Sequence, residues 1–537
     1  MRILLNKLTR LGDIIQSIGL IKGLKNRYPE CEIDFLAMSS FSAILKNIPD
    51  IHEIVCLEDH LLIDQIKDDL WSGFLELTSK IQYLNNKFYD LVINPVISLQ
   101  SSYLCNLIQA KDKRGMIQTP EGEQSVKSNW SAYLLANQHT LGDHAFNLVN
   151  IFAGVGDCEF KIDDYFLQSG TSANAFIKTL FENEQIDSSK KLIGFHVGAS
   201  QSNKSWSVDS FKKVIIELCL NSSYEVILFG GYKESDVKSQ FDNIRSTNFH
   251  NWIGKFKLDE LISAVSKMNL FITNDTGPMH IAACTKVPII NLSLGPVSMW
   301  ETGPYSDQAI VLQANIDCHP CSFSYNCPHW NCHSQITPEA VIQLSNMILT
   351  QTAIHEDPQI LYWKSVIDPF LFIHWVPLNK RQITDKEYLF EVKRCIWGLT
   401  LKNLFSKADV VFKDYFSFLN SYFVFSTYSY PDLSSLCDKL LALNEQLINQ
   451  LLFITTISQN SKNNLDKIKT IWSNVKELKN TMYLEAQHYS VIYDWFLYLT
   501  FAESQLENED LSELTRQTVI LYKQLSAQLR LLQIHIQ

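Results

Sequence analysis

Residues 271–283, Phe-Ile-Thr-Asn-Asp-Thr-Gly-Pro-Met-His-Ile-Ala-Ala, give the strongest indication of the fold. An apolar run meets a polar turn and then a segment rich in small residues, which predicts a buried strand leading directly into a helix. Pro278 suits the first helical turn, where its missing N–H is not needed. The backbone amides expected to point out of this helix N-terminus, where they would bind a diphosphate, are those of Thr276, Gly277 and Met279. His280 follows them and could contact a phosphate or serve as a hydrogen-bonded structural residue.

The same alternation of strand-like runs and helical patterns extends on both sides of this stretch. Around it, the strand-like runs cover residues 192–197, 224–229, 270–273, 288–294 and 309–312. Nearer the start of the chain, they cover residues 3–8, 32–38, 53–57 and 90–95. A polar segment at 168–190 separates the two sets. Because a β-α-β rhythm implies parallel sheets with helices on both sides, we expect two Rossmann-like lobes that face a cleft.

The pattern changes from about residue 357, where glycine almost vanishes and helical periodicity dominates. One helical stripe holds Leu436, Leu440, Leu443, Leu447 and Leu451. We therefore predict an α/β protein with an added all-helical domain. The predicted parts are a first lobe at 1–167, a second lobe at 168–350 and a helical extension at 357–537.

Length and charge exclude several classes of protein. A chain of 537 residues is too long for one hydrophobic core. The net charge of -11 disfavours binding to nucleic acid, which needs clustered lysine and arginine. Met1 leads straight into a strand-like run, so we expect no signal peptide. Since no apolar run is long enough to span a bilayer, we expect a cytoplasmic protein that could touch a membrane surface.

The first candidate site residues lie in Leu11-Gly12-Asp13, which follows the first predicted strand and opens the first helix. Ligands of doubly wound sheets bind at the carboxyl ends of the strands, so this turn is expected to face the cleft. Gly12 allows close approach of the backbone, and Asp13 would project a carboxylate into the site. Aspartate is also favoured at helix starts as a cap, so a purely structural role stays open.

A second candidate site follows the strand at 192–197. Gly198 and Ala199 would let backbone amides approach an anion, and Lys204 would add a positive charge. An ordinary strand-to-helix loop with a solvated lysine has the same pattern. Glu234 follows another strand and could accept hydrogen bonds from ribose hydroxyls, or it could be a solvated residue at a helix start.

Several phosphate- and metal-binding motifs are absent from the sequence. The chain has no Walker-type loop, no Gly-x-Gly-x-x-Gly fingerprint and no Asp-x-Asp triplet. We therefore expect no catalytic metal. Lys204 and helix amides would neutralise a bound diphosphate instead.

Four cysteines lie within fifteen residues, and they are Cys318, Cys321, Cys327 and Cys332. The two-residue spacing of the first pair suits a tetrahedral metal site, and soft thiolate ligands favour zinc or iron. Four protein thiolates would leave no open coordination position, so the expected metal is structural. Four unligated thiols near a loop are the alternative.

Taken together, these segments resemble glycosyltransferase family 9, the ADP-heptose:lipopolysaccharide heptosyltransferases, over about residues 1–350. The resemblance rests on four blocks in this order. They are Leu11-Gly12-Asp13-Ile14, Gly198-Ala199 with Lys204 and Trp206, Asn274-Asp275-Thr276-Gly277-Pro278-Met279-His280, and the cysteine-rich stretch.

The resemblance implies a GT-B fold and an inverting transfer without a catalytic metal. By matching position, Asp13 would be the general base on the acceptor hydroxyl, and Lys204 would hold the phosphates of the donor. Asp275, Thr276 and Gly277 would bind the diphosphate and the nearby sugar. Glu234 would contact the ribose, and Phe256 would lie near the adenine.

The implied function is transfer of a heptose from ADP-heptose to a lipopolysaccharide core, by an enzyme that is cytoplasmic or peripheral at the inner membrane. Lys7, Arg10 and Arg114 could meet an anionic acceptor, or they could form a solvated basic edge. The helical extension suggests an alternative, a protein acceptor such as an adhesin or flagellar subunit, and it could also drive homo-oligomerisation. A non-catalytic nucleotide-sugar-binding or assembly protein is the third hypothesis.

Overall fold

The computed structural model describes residues 1–58, 70–119, 122, 124–137, 144–322, 327–425, 430–460, 465–503, 506 and 510–536. These residues form two compact units. The first unit comprises Met1–Val92, Gln109–Lys111 and Phe146–Asn379. The second comprises Ile93–Ile108, Asp112–Ala145 and Lys380–Gln537.

A six-stranded sheet has the order β3-β2-β1-β4-β5-β6. Its strands are β1 (Arg2–Asn6), β2 (Glu32–Met38), β3 (Glu53–Leu57), β4 (Tyr89–Asn94), β5 (Ala110–Gln118) and β6 (Gln124–Val126). The accompanying helices are α1 (Leu11–Gln16), α2 (Ile18–Arg27), α3 (Leu70–Asn85), α4 (Leu99–Leu107) and α5 (Asn129–Asn137). β1 pairs with β2, and β2 with β3, in parallel, while β5 and β6 are antiparallel. The near-continuous burial of β1 and β2 is typical of parallel strands covered on both faces.

An eight-stranded sheet has the order β14-β13-β12-β11-β10-β7-β8-β9. Its strands are β7 (Lys191–His196), β8 (Tyr224–Phe229), β9 (Phe249–Asn251), β10 (Leu270–Asn274), β11 (Ile289–Ser293), β12 (Ala309–Ala314), β13 (Ile360–Ile367) and β14 (Ile373–Pro377). The helices of this region are α6 (Leu148–Val155), α7 (Thr171–Asn183), α8 (Val208–Cys219), α9 (Ser235–Lys238), α10 (Leu258–Val265), α11 (Gly277–Cys284), α12 (Met299–Thr302), α13 (Asn331–Gln335) and α14 (Pro338–Thr350). β7 to β12 are parallel, whereas β13 and β14 are antiparallel additions at the β12 edge.

The predicted strands of both lobes are confirmed by β1–β4, β7, β8, β10, β11 and β12. The predicted start of the helical extension at 357 is wrong, because residues 360–377 form the β13–β14 hairpin of the second sheet. Its sequence is rich in aromatic and β-branched residues, which favour strands. Pairing with β12 also satisfies backbone groups that an open sheet edge would leave unpaired.

The second unit is mainly helical after residue 379. Its C-terminal helices are α15 (Asp385–Leu401), α16 (Ala408–Leu419), α17 (Pro431–Asn460), α18 (Leu465–Ala486), α19 (Ser490–Glu503) and α20 (Leu511–Ile536), beside the short strands β15 (Arg381–Gln382) and β16 (Phe423–Val424). Leu440, Leu447 and Leu451 of the predicted stripe are fully buried. Among the residues that the structure describes, no helix is both long and apolar enough to cross a bilayer.

Residues from the first half of the chain also build this unit. The Tyr133 ring on α5 meets Trp397 on α15 edge to face, with centroids 4.9 Å apart. Trp397 in turn packs on Tyr498 of α19 at 5.2 Å. The segment 112–145, predicted as part of the first lobe, therefore shares a core with the helical region.

Candidate active site

The turn after β1 packs directly on the turn after β10, within the first unit. A Cβ built on Gly12 would lie 2.9 Å from Cδ2 of His280, and one built on Gly277 would lie 2.8 Å from Cδ2 of Leu11. Only glycine allows both approaches without displacing a neighbour. Two of the segments singled out in the sequence thus lie side by side.

Asp13 lies in the first turn of α1, where its backbone carbonyl accepts a hydrogen bond from Ser17 at 3.0 Å. The N-cap of α1 is Arg10, and this helix start has no side-chain capping bond. Asp13 is an acidic residue in the first turn of α1, a position where the helix dipole also favours a carboxylate. The carboxylate acts electrostatically on the His280 ring, which places it at the junction of the two turns.

His280 is buried at this junction, and burial lowers its pKa. The carboxylates of Asp275 and Asp13 act in the opposite direction, while the ammonium of Lys204 adds to the lowering. Among the described residues, no hydrogen-bond partner faces its Nδ1 atom. The ring is therefore neutral at neutral pH and keeps one nitrogen available to a ligand.

Lys204 and Asp275 form a long ion pair between two mostly buried side chains. Nζ of Lys204 lies 3.8 Å from Oδ2 of Asp275, and the side chains are only 14% and 8% exposed. The same Oδ2 accepts a hydrogen bond from the Thr302 hydroxyl at 3.2 Å. The ammonium of Lys204 is thus largely shielded from solvent beside the Asp275 carboxylate. Thr302 was not predicted, since it lies outside every motif seen in the sequence.

Asn274, at the end of β10, forms hydrogen bonds with the loop after β7. Its Oδ1 accepts from the Trp206 amide at 3.0 Å, and its Nδ2 donates to the Val197 carbonyl at 3.1 Å. The Trp206 indole donates to the Ile336 carbonyl at 3.0 Å. These bonds explain why Asn274 and Trp206 accompany Lys204, because together they hold the lysine loop beside Asp275.

Helix α11 begins at Gly277, with Thr276 as its N-cap and no side-chain capping bond. The Met279 amide, one of the predicted diphosphate donors, donates to the Thr276 carbonyl at 3.0 Å. The amides of Thr276 and Gly277 are the candidates that remain at this helix start. The Thr276 hydroxyl lies 3.4 Å from Nδ1 of His196, whose pKa burial lowers to about 4.

Glu234 and Gly198, both predicted to bind the donor, lie close together. Oε2 of Glu234 accepts from the Gly231 amide at 2.7 Å, and a Cβ on Gly198 would lie 2.6 Å from Oε1 of Glu234. The carboxylate thus lies against the loop that also holds the half-buried Ala199. Phe256 packs in an aromatic cluster, with its ring 5.4 Å from Trp252, and its place near the adenine stays a prediction.

The three cationic residues that were predicted to bind an anionic acceptor differ in burial and location. Lys7 is buried, with Nζ 3.4 Å from the centre of the Phe152 ring, so it does not belong to a solvated basic edge. Burial lowers the pKa of Lys7 to about 8, and the Asp13 carboxylate acts against this shift. Arg10 is exposed at the start of α1, whereas Arg114 belongs to the second unit, with Nε 3.4 Å from Asp112.

The four clustered cysteines are free thiols: Cys332 is buried, Cys321 and Cys327 are half-buried, and Cys318 is exposed. Burial raises the pKa of Cys321 and Cys332, and neighbouring thiols of the cluster raise both further. The four sulfurs therefore lie within electrostatic reach of one another. In the described ranges, however, no three of them come within 4.8 Å of one another.

Another group of potential metal ligands comprises Asp34, His52 and Glu53. Arg2 donates to Asp34 at 2.9 Å, and Lys87 donates to Glu53 at 2.6 Å. Both carboxylates are already paired with cations, so this group is an ion-pair network at the start of the strands.

Comparison with known proteins identifies relatives of this chain. Residues 77–332 match the model of glycosyltransferase family 9 (heptosyltransferase). Lipooligosaccharide heptosyltransferase 2 of Campylobacter jejuni is 31% identical over 195 residues, which cover 33% of this chain and 60% of that protein. Lipooligosaccharide heptosyltransferase 2 of Haemophilus influenzae is 26% identical over 320 residues, covering 56% of this chain and 86% of the relative. The match thus spans less than two thirds of the Campylobacter protein.

Solved structures show the same fold. The family 9 glycosyltransferase of Veillonella parvula superposes with a TM-score of 0.52 at 22% identity, covering 65% of this chain and 98% of its own. The ADP-heptose lps heptosyltransferase II of E. coli gives a TM-score of 0.50 at 22% identity, covering 65% and 99%. The fold is GT-B, with a helical C-terminal region added. By the sequence match over residues 77–332 and the order of its motifs, the chain is similar to glycosyltransferase family 9 (heptosyltransferase).

Proposed function

We propose that the protein is an inverting glycosyltransferase that moves a heptose from ADP-heptose to a hydroxyl of a lipopolysaccharide core, without a catalytic metal. The observation that carries the proposal is the packing of the Asp13 turn on the turn that holds Asp275 and His280. A proton acceptor and an anion-binding turn thereby meet at one place. The family relation and the names of the relatives support the choice of heptose as the sugar.

Asp13 is the proposed general base. As the acceptor oxygen attacks the anomeric carbon, its proton passes to the Asp13 carboxylate, and the bond from that carbon to the diphosphate breaks on the opposite face. The neutral His280 ring lines the site beside Asp13 and adds no positive charge next to the carboxylate. Its Nδ1 is placed to hydrogen-bond the donor or the acceptor.

Negative charge builds on the leaving nucleoside diphosphate, so cations and amide dipoles at that position lower the barrier. Lys204 supplies the cation, and the start of α11 supplies backbone amides. Glu234, against Gly198, is the proposed partner of the ribose hydroxyls.

The four-cysteine cluster is proposed to hold one structural zinc or iron ion through Cys318, Cys321, Cys327 and Cys332. The mutual influence of the thiols on their pKa values supports this proposal. Binding would require the sulfurs to move closer together, since tetrahedral thiolate sites have metal–sulfur distances of about 2.3 Å. The ion would stabilise the loop before α13.

The alternative function is that of a protein O-heptosyltransferase. It shares the proposed chemistry and differs in the acceptor, which is a protein instead of a lipopolysaccharide core. Segments 112–145 and 380–537 belong to one compact unit, and such a unit could recruit a polypeptide or mediate oligomerisation. A non-catalytic binding protein is disfavoured because Asp13, His280, Lys204 and Asp275 are all present and clustered. A cytoplasmic location and peripheral contact with the inner membrane stay predictions.

Product mass after transfer tests the proposal. The purified chain is incubated with ADP-heptose and a lipopolysaccharide core that lacks its heptose, and separately with a panel of candidate protein acceptors. A mass gain of one heptose on the core supports the proposed acceptor, and a gain on a protein only favours the alternative. ADP-mannose, added in a parallel reaction, tests the choice of sugar. No transfer in any reaction would contradict the proposed activity.

A further inference from the structure

Helix α13, at the end of the cysteine-rich stretch, contacts the loop that follows β7. This loop, residues 198–206, is called the 198–206 loop, and both elements belong to the first unit. Nε2 of His333 on α13 lies 3.0 Å from the backbone carbonyl oxygen of Asn203. Because a carbonyl oxygen can only accept, Nε2 carries the hydrogen and donates. A histidine next to Cys332 therefore holds the backbone of the 198–206 loop.

A second hydrogen bond joins the same two parts of the chain. The buried Trp206 indole donates to the Ile336 carbonyl at 3.0 Å, directly after the end of α13. The bonded positions in the loop, Asn203 and Trp206, are three residues apart, and so are His333 and Ile336. The two bonds therefore run side by side and bracket the middle of the loop.

The turn after β11 contacts the same carbonyl group. Gly295 has a φ of +61°, and a Cβ built on it would collide with the carbonyl oxygen of Asn203. The carbonyl of Gly295 in turn accepts a hydrogen bond from the Cys321 amide at 3.1 Å. The cysteine-rich stretch thus reaches Asn203 by two routes, directly through His333 and indirectly through the turn at Gly295.

We propose that His333 is a positioning residue for donor binding, because it fixes the backbone at Asn203 and with it the course of the 198–206 loop. This inference rests on the proposed function, in which the loop contacts the donor. A loop that must be ordered when the ligand arrives lowers the affinity, whereas a loop held beforehand in its bound course does not. The contribution of His333 comes from the backbone and does not depend on the charge of any side chain in the loop.

Hydrogen exchange of the full chain without ligand, measured by mass spectrometry, tests whether His333 holds the loop. Asparagine is too short to bring its amide to the position of Nε2, so His333→Asn should speed exchange in residues 198–206 by about threefold to tenfold, as expected for one lost hydrogen bond. Glutamine reaches that position, and His333→Gln should stay within about twofold of the wild type. His355→Asn, at an exposed histidine after α14, is the matched control. A general loss of stability would instead speed exchange across both sheets.

Calorimetric titration of the same proteins with ADP tests the consequence for the donor. The dissociation constant should rise about threefold to tenfold in His333→Asn, because the loop is then ordered only on binding, and His333→Gln should restore it. Trp206→Phe keeps an aromatic ring and removes the parallel bond to Ile336. It should change loop exchange and ADP affinity in the same direction, so it keeps the inference testable if His333→Asn does not fold.

The outcomes separate the inference from the proposed function. Wild-type loop exchange, or wild-type ADP affinity, in both His333→Asn and Trp206→Phe would overturn the inference even if the wild type transfers heptose. Faster loop exchange together with weaker ADP binding, in a chain that transfers no heptose, would support the inference and contradict the proposed function. A wild-type chain that binds no ADP would overturn both.

Discussion

The imidazole of His280 lies against Gly12, so closely that a Cβ on the glycine would fall 2.9 Å from the ring carbon Cδ2. The two residues belong to the starts of different helices, α1 and α11, that follow the strands β1 and β10 of different sheets. Their contact fixes how close Asp13 comes to the turn that is proposed to bind the donor phosphates.

Gly12→Ala should disturb this contact. The added methyl group must push His280 or the α1 turn away, and a displacement near 1 Å at a reacting centre costs up to about a hundredfold in rate. We expect kcat/KM for heptose transfer to fall by about tenfold to a hundredfold. Gly73→Ala on α3 is the control, because a Cβ there meets nothing within 4 Å. Unchanged kinetics in Gly12→Ala would contradict the close packing of the two turns.

Lys7 should make stability depend on alkaline pH. Its pKa is lowered to about 8 by burial from an ordinary value of 10.5. Between these values the unfolded chain binds more protons than the folded protein, so the free energy of unfolding rises with pH. The rise should amount to roughly 2–3 kcal/mol and should be absent in Lys7→Met, since each unit of pKa shift corresponds to about 1.4 kcal/mol.

Urea unfolding of the wild type and Lys7→Met at pH 8, 9 and 10.5 measures this difference. Taking the difference between the two proteins removes the contributions of other titrating groups. Parallel curves for the two proteins would show that Lys7 keeps its ordinary pKa and is solvated.

Lys204→Gln should weaken binding of the diphosphate specifically. Loss of the cation should raise the ADP dissociation constant by about tenfold to a hundredfold, the effect of a buried charge contact. Binding of adenosine, which carries no phosphate, should not change. Calorimetry with both ligands measures the contrast, and Lys213→Gln on the exposed face of α8 is the control. An equal loss for ADP and adenosine would contradict a phosphate role.

Elemental analysis of the purified protein tests the cysteine cluster. We expect about one zinc or iron ion per chain, because four thiolates complete a tetrahedral site. Cys318→Ser and Cys332→Ser should each lose the ion, whereas Cys56→Ser on β3 should keep it. Metal-free wild-type protein, purified without chelators, would end this proposal.

The strands of both lobes could be predicted because each is a local apolar run followed by a turn and an amphipathic helix. The turns holding Asp13 and Asp275 could be predicted for the same reason, since parallel strands place their ligands at their carboxyl ends. The β13–β14 hairpin could not be predicted from the sequence. Its residues follow a helix and precede a long helical region, and only the free edge of β12 makes them strands.

Other features that the sequence did not predict arise from contacts between residues distant in sequence. The burial of Lys7 depends on Phe152, and the hydrogen bond of Thr302 depends on Asp275. Likewise, residue Tyr133 joins the helical unit because Trp397 lies more than 250 residues later in the chain. Local periodicity carries no signal for any of these contacts, so they became visible only with the structure.

Asp13→Asn tests the assignment of Asp13 as the general base, because it removes the proposed base while keeping the size and polarity of the side chain. We predict that kcat for heptose transfer falls by about 10²–10⁴-fold, the usual contribution of general base catalysis. The ADP dissociation constant should stay within about twofold of the wild type, since Lys204 and the start of α11 are untouched. Wild-type turnover by Asp13→Asn, at unchanged ADP affinity, would contradict the assignment of Asp13 as the base.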